Sequence, residues 1–299
     1  MNVRRAEVAK LRQELGSGIL DNIFDSVKFK PKQIWAAERP RDEGKAVLTM
    51  TLMKDMEGLS YKDLKERIAP WFNISNMSIQ HNVKMGRKKL GKWAKKILKP
   101  TARTKRENLA KSADRPSPCE QVTLWVDSTD FPISGKRRLR RKDPRYAHKL
   151  KGPGRRWMVM MDAKTRAQYI AGPYHPTVYD AHIFLRNADK IEKLFPGETC
   201  VGDTHYGTVQ DSLTDFQLVA PVSAAGRPKM VEGKKVKRQL TAEQKERNEA
   251  IAGVRARVES PFGWIDRKFA ALSMPFHESE EQHDCLVRTA FACHRLMKK

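Results

Sequence analysis

Acidic residues are in short supply in this chain: 35 Asp plus Glu stand against 59 Lys plus Arg in 299 residues, a formal net charge of +24. Such an excess argues against a cationic partner and favours a polyanion, nucleic acid before an anionic membrane surface. Long apolar runs are also missing, so no segment reads as a membrane span and no membrane partner is expected. The first residues, MNVRRAEVAKLRQELG, are charged and lack the apolar core of a signal peptide. Cysteine is sparse, with Cys119, Cys200, Cys285 and Cys293 scattered and no CxxC pair. That argues against a zinc module, and a reduced intracellular compartment is the expectation. Cys293-His294 near His283 reads as part of a helix carrying Leu286, Ala290, Phe291 and Leu296, not as a metal site.

Where acids are few, those at the ends of apolar runs stand out. In QVTLWVDSTDFPI (Gln121 to Ile133), Val122, Leu124 and Val126 alternate as in a strand, and Asp127 follows directly. A carboxylate there costs stability if buried without a partner; its plainer reading is a satisfied strand-end Asp. Asp203 closes a second short strand, TCVGD, and Glu259 sits in the helical stretch VRARVESPFGWIDRKF. Strand acid, strand acid, helix acid is an order that can converge three carboxylates on a pair of divalent metals. Asp130, three residues from Asp127, should face the other side of the strand.

Before these acids the text is helical. Asn2 to Leu15 reads as a charged helix ended by Gly16 and Gly18, and a helix is expected in KQIWAAERP before Pro40. Glu43 to Met56 carries an apolar stripe. Ser60 and Asp63 form a capping-box start for YKDLKERI, and a long basic helix follows the Asn and Ser caps near Ser75. Short helix, turn and basic helix over 58–97 outline a helix-turn-helix, with Asn76 and Gln80 placed to meet DNA; a plain helical hairpin with a solvated basic face has the same outline. The expected organisation is an all-α N-terminal domain over 1–100, a linker over 101–120 and an α/β domain over 121–299.

Within that last domain, eleven Lys or Arg and one acid, Asp143, lie between Lys136 and Arg156. Lys136, Arg137, Arg138, Arg140, Arg141, Lys149, Lys151, Arg155 and Arg156 are candidate phosphate contacts, beside the plainer readings of a solvated loop or a nuclear localisation signal. A strand at Trp157 to Met161, a turn holding Asp162, and a returning strand from Ala167 form a hairpin. One amphipathic helix is expected from Asp180 to about Phe195, with Asp180 at its favourable N-terminal end. A strand at Phe216 to Pro221 follows, then a mobile loop from Ala225 to Arg238. A long helix begins at Thr241, kinked at Pro261, and a last helix runs from about Glu280 to Met297. The element order fits an α/β, ribonuclease-H-like fold, a mixed sheet flanked by helices.

The segments VDSTDFPI, YAHKLKGPGRRWMVMMD, GPYHPTVYDAHIF and GDTHYG, with N-x6-R-x3-E at Asn248, Arg255 and Glu259, resemble those of DDE-superfamily transposases and endonucleases of the PIF/Harbinger type. The resemblance covers roughly Val122 to Leu296. Pro261, Asp266 and Arg267 depart from the pattern, since a lysine often stands near the last two. The resemblance implies that Asp127, Asp203 and Glu259 bind two Mg²⁺ or Mn²⁺ ions and that the chain cleaves DNA and transfers the strands. It also implies transposon ends and a target duplex as partners, a homodimer or higher oligomer, a possible separate DNA-binding protein, and a nuclear location in a eukaryote. Arg255, one helical turn before Glu259, and Tyr206 and Asp180 are candidate supporting residues. The contrasting expectation is a domesticated DNA-binding protein that keeps the fold without the reaction. An RNA nuclease on the same fold is a third reading.

Overall fold

The computed structural model describes residues 2–27, 43–69, 74–111, 115–135, 141, 143–223, 229–231, 234–236, 239–256 and 259–298. The KQIWAAERP helix, Lys136, Arg137, Arg138, Arg140, parts of the expected mobile loop and the side chain of Glu259 lie outside them. The chain forms two compact units. One comprises Met1–Lys99, Asp130–Arg155 and Pro261–Lys299; the other comprises Pro100–Thr129 and Arg156–Ser260.

The first unit is mainly helical. Its leading helices are α1 (Asn2–Leu15), α2 (Ser17–Ser26), α3 (Glu43–Glu57), α4 (Tyr61–Ile68) and α5 (Asn76–Ile97). Gly16 alone separates α1 from α2, and Gly18 is helical rather than a second stop. The Ser60 capping box is present in full: its hydroxyl accepts from Asp63 N and the Asp63 carboxylate accepts from Ser60 N. Helix α5 buries Ile79, Val83, Leu90, Trp93 and Ala94 and packs on α3, α4 and the last helix, α12 (Glu280–Met297). Gly91 permits the α5–α12 approach, because a Cβ there would meet Cys285 Sγ at 2.6 Å. Arg87 of α5 is 1% exposed and binds both carboxylate oxygens of Asp55 on α3 and, at 2.5 Å, Glu278 just before α12. A buried cation is tolerated here because two carboxylates compensate it.

The second unit is built on a mixed sheet. Helix α6 (Arg103–Lys111) precedes β1 (Val122–Pro132), so the expected linker contains a helix. Strand β3 (Gly152–Asp162) pairs antiparallel with β4 (Ala167–Tyr174); within the first unit, its opening residues pair antiparallel with β2 (Tyr146–Ala147). The region expected to hold one helix contains two short ones, α7 (Asp180–Leu185) and α8 (Ala188–Leu194), broken at Arg186-Asn187. Strands β5 (Glu198–Val201) and β6 (Phe216–Val219) follow, joined by a 3₁₀ helix, Thr204–Ser212. Strand β5 is parallel to both β1 and β6. The order β4-β3-β1-β5-β6 fits the expected ribonuclease-H-like sheet.

One face of this sheet packs Leu124, Val126, Met158, Met160, Cys200 and Leu218 against Ile183, Phe184, Ile191, Phe195 and Tyr206. The other face meets α9 (Ala242–Arg255), where the buried Trp125 indole donates to Val254 O at 2.8 Å. Two short strands, β7 (Lys229–Val231) and β8 (Lys234–Val236), form an antiparallel hairpin where a mobile loop is expected. Helix α9 ends at Arg255, residues 257 and 258 lie outside the described ones, and α10 (Glu259–Lys268) and α11 (Ala270–Ser273) follow, their residues from Pro261 on belonging to the first unit. Pro261 occupies the first turn of α10, where its missing N–H costs no helical bond.

Candidate active site

Two of the three expected acids lie on neighbouring parallel strands: Asp127 is in the middle of β1, which runs on to Pro132, and Asp203 lies two residues past the end of β5. Trp125 of β1 is in register with Val201 of β5. Asp127 and Asp203 each lie two residues further along. Gly202 N still bonds Val219 O at 3.0 Å, so the sheet holds almost to Asp203. Adjacent strands lie about 4.8 Å apart, which puts the two aspartates side by side at the carboxyl end of β5, while β1 runs on beyond Asp127.

They also share a face. Leu124 and Val126 belong to the α7–α8 core, whereas Trp125 turns to α9. Alternation therefore aims Asp127 with Trp125, toward α9. On β5, Cys200 faces the α7–α8 core. Gly202 faces the same way, because a Cβ on it would meet Tyr206 Cδ2 at 2.6 Å and Val126 Cγ1 at 3.1 Å. Asp203 thus points opposite to Gly202, onto the Asp127 face. The GDTHYG segment has a physical reading here: glycine leaves room for the tyrosine ring, and the aspartate caps the 3₁₀ helix that carries it.

Each carboxylate is held by its own backbone. Asp127 Oδ1 accepts from Ser128 N at 2.7 Å, and Asp203 Oδ1 accepts from His205 N at 2.9 Å. Both side chains are half-buried. Below them Tyr206 is fully buried, its hydroxyl 3.4 Å from Ser128 Oγ. Burial pushes the Tyr206 phenol well above its ordinary value, and the negative charges of Asp180, Asp127 and Asp203 push it the same way. The hydroxyl therefore stays protonated and senses a negative field from three acids.

Asp180 opens α7, and its carboxylate takes a hydrogen bond from Arg156 Nη1 at 3.1 Å; the same nitrogen donates to Val178 O at 3.2 Å. Arg156, a candidate phosphate contact, is thus engaged within the protein. Arg155 pairs with Glu280 at 2.7 Å. Arg141, Lys149, Lys151, Asn76 and Gln80 are exposed. Asp162 is the buried turn residue its pattern suggests, accepting from Lys164 N and from Arg166 N and Nε.

Glu259 is the first residue of α10, and the helix before it is tied to the sheet at two places. Asn248 Oδ1 accepts from Val222 N at 2.8 Å while its Nδ2 donates to Val222 O at 2.9 Å, and Arg247 Nη1 donates to Ala220 O at 2.9 Å. The second tie is the Trp125–Val254 bond. Arg255 Nε is buried with no hydrogen-bond partner among the described residues. Apart from Tyr206, the positioning roles of Ser128, Trp125 and Arg247 are absent from the sequence reading; an indole N–H inside an apolar strand is the one signal that asks for a partner.

Carboxylate oxygens are hard ligands suited to Mg²⁺ or Mn²⁺. Two oriented carboxylates on one face of adjacent strands, in a negative field, fit such an ion. Among the described residues no group of three His, Cys, Asp or Glu is close enough to hold a metal, so a third protein ligand would have to come from a residue such as Glu259. The sequence model of one family, described as DDE superfamily endonuclease, matches residues 126–297. No curated protein and no solved structure matches the chain.

Proposed function

The chain belongs to the DDE superfamily endonuclease family, and from that premise we propose that it cleaves DNA strands and joins them to a target, with Asp127, Asp203 and Glu259 as a metal-binding triad. The observation that carries this reading is the placement of Asp127 and Asp203 at one level and on one face of adjacent parallel strands. Divalent cations, when bound, supply the Lewis acidity that activates a water or 3′-hydroxyl and neutralises the leaving oxygen. The chain's own residues do the rest. Ser128 N and His205 N fix one oxygen of each aspartate, which leaves the carboxylates oriented before substrate arrives. Tyr206, buried against Gly202 on the opposite face of the sheet, packs the strand end that carries Asp203. Arg255, with a buried nitrogen lacking a described partner, is suited to hold Glu259 or a phosphate oxygen.

Nicking of a labelled duplex in Mg²⁺ or Mn²⁺ tests the proposal. Asp127→Ala, Asp203→Ala and Glu259→Ala should each abolish nearly all cutting, and the combined variant should lose little more, because residues acting as a unit are not additive. Asp162→Ala tests for a mere charge effect and should still cut, allowing for lower stability. Full activity in Glu259→Ala would reject the third ligand and turn attention to Asp266 or Glu249. Wild-type protein that binds duplex but never cuts it would instead support the domesticated DNA-binding protein.

A further inference from the structure

Helix α5 contains seven Lys or Arg and no Asp or Glu over its 22 residues. Only Arg87 of these is buried, and Asp55 and Glu278 neutralise it. Lys84, Lys88, Lys92, Lys95 and Lys96 are all exposed. At 100° per residue they fall within an arc of about 120°, and at 1.5 Å per residue they extend over about 18 Å. Met77, 79% exposed, and His81 continue the same face toward the start of the helix. Among the described residues Lys84, Lys92, Lys95 and Lys96 make no ion pair, while Lys88 meets Glu281 at 3.3 Å in an exposed pair. Exposed pairs of that kind are weak and easily exchanged. Lysines in a last helical turn also favour the helix dipole, which accounts for Lys95 and Lys96 but not for the row that begins three turns earlier.

The opposite side of α5 is packed on α3, α4 and α12, so the row is presented by a helix that cannot readily turn. Residues 70–73, between α4 and α5, lie outside the described residues, and the long side of α5 is the described feature that bears on DNA.

We propose that the lysine face of α5 lies along the phosphate backbone of duplex DNA and binds it without reading its sequence. This rests on the reading of DNA as substrate, and it assigns that substrate a docking surface distinct from the acid site. The test uses full-length protein in EDTA, so that binding is measured with cutting silent. Affinity for two duplexes of unrelated sequence is followed by anisotropy against salt. The K84Q/K88Q/K92Q/K95Q variant should flatten the slope of log K against log salt by up to about 0.9 for each phosphate it no longer neutralises, equally on both duplexes. Its thermal midpoint should match the wild type, since the residues are exposed. N76A/Q80A should leave the slope unchanged and alter neither duplex's affinity selectively.

An unchanged slope in the lysine variant, a loss confined to one duplex, or no duplex binding by the wild type at low salt would each overturn the proposal. So would wild-type binding to phosphatidylserine vesicles that exceeds binding to duplex and falls in the lysine variant. Failure of the nuclease reading shows separately, as Asp127→Ala protein that cuts like wild type, and leaves the binding result intact.

Discussion

Gly202 shows how much one residue decides at this site. Tyr206 fills the space where a Cβ would stand, at 2.6 Å, so Gly202 takes the Tyr206 face and alternation leaves Asp203 on the Asp127 side. Gly202→Ala should therefore cost about 1–3 kcal/mol through overpacking, read as a lower urea midpoint, and should reduce cutting because Asp203 shifts with its strand end. Tyr206→Phe keeps the ring and removes only the hydroxyl near Ser128, so its midpoint should stay close to wild type. A Gly202→Ala midpoint equal to wild type would mean that the ring repacks and that glycine is not required there. The two aspartates were legible in the sequence because each closes a short apolar run, and alternation assigned Asp130 to the other face. The glycine's reason was not legible, since it depends on a ring folded back from four residues downstream.

Elements were legible where an apolar period exists and lost where polar bonds replace it. Helix α6 buries Arg106 and Ala110 rather than an apolar stripe, and its anchor is an ion pair, Arg106 Nε to Glu198 at 2.9 Å. A search for periodicity passes over such a helix. The hairpin β7–β8 is three residues a side and rich in lysine, too short and too charged for alternation to register. Strand pairing is likewise not written in local pattern: the β1–β5 register that aligns Asp127 with Asp203 is a long-range contact. Helix α9 gives the sharpest element-level prediction. Asn248 bonds both backbone groups of Val222. Asn248→Ala leaves that N–H and C=O without their partner and should cost about 1–3 kcal/mol. Asn248→Asp keeps the acceptor for Val222 N alone and should fall between. Hydrogen exchange at the Val222 amide should quicken in the alanine variant; an unchanged exchange rate there would show that the clamp is not formed in solution.

The molecule as a whole carries a charge excess that grows as pH falls, and two histidines make its stability depend on pH in a defined direction. Burial first, then the positive charges of Arg87 and Arg155, pulls His283 down from its ordinary value to about 3. Burial and, after it, Lys298 pull His294 down to about 4. Both are 1% exposed, and among the described residues neither ring nitrogen of His294 has a hydrogen-bond partner. The folded protein therefore holds both rings neutral where the unfolded chain, near pH 6.5, would already take up protons. Below that point the unfolded state binds more protons than the folded one, so stability is complete above about pH 6.5 and declines as the solution is acidified. Each proton contributes about 1.4 kcal/mol per pH unit, and the decline from these groups ends once the pH has passed their folded values. Carboxylates also titrate in this window, so the informative quantity is the difference between wild type and His294→Leu. The variant should start with equal or higher stability, since a buried imidazole without a described hydrogen bond is removed, and should lose less between pH 6.5 and 4.5. Parallel curves of denaturation midpoint against pH for the two proteins would show that His294 is already protonated or solvated in the folded state.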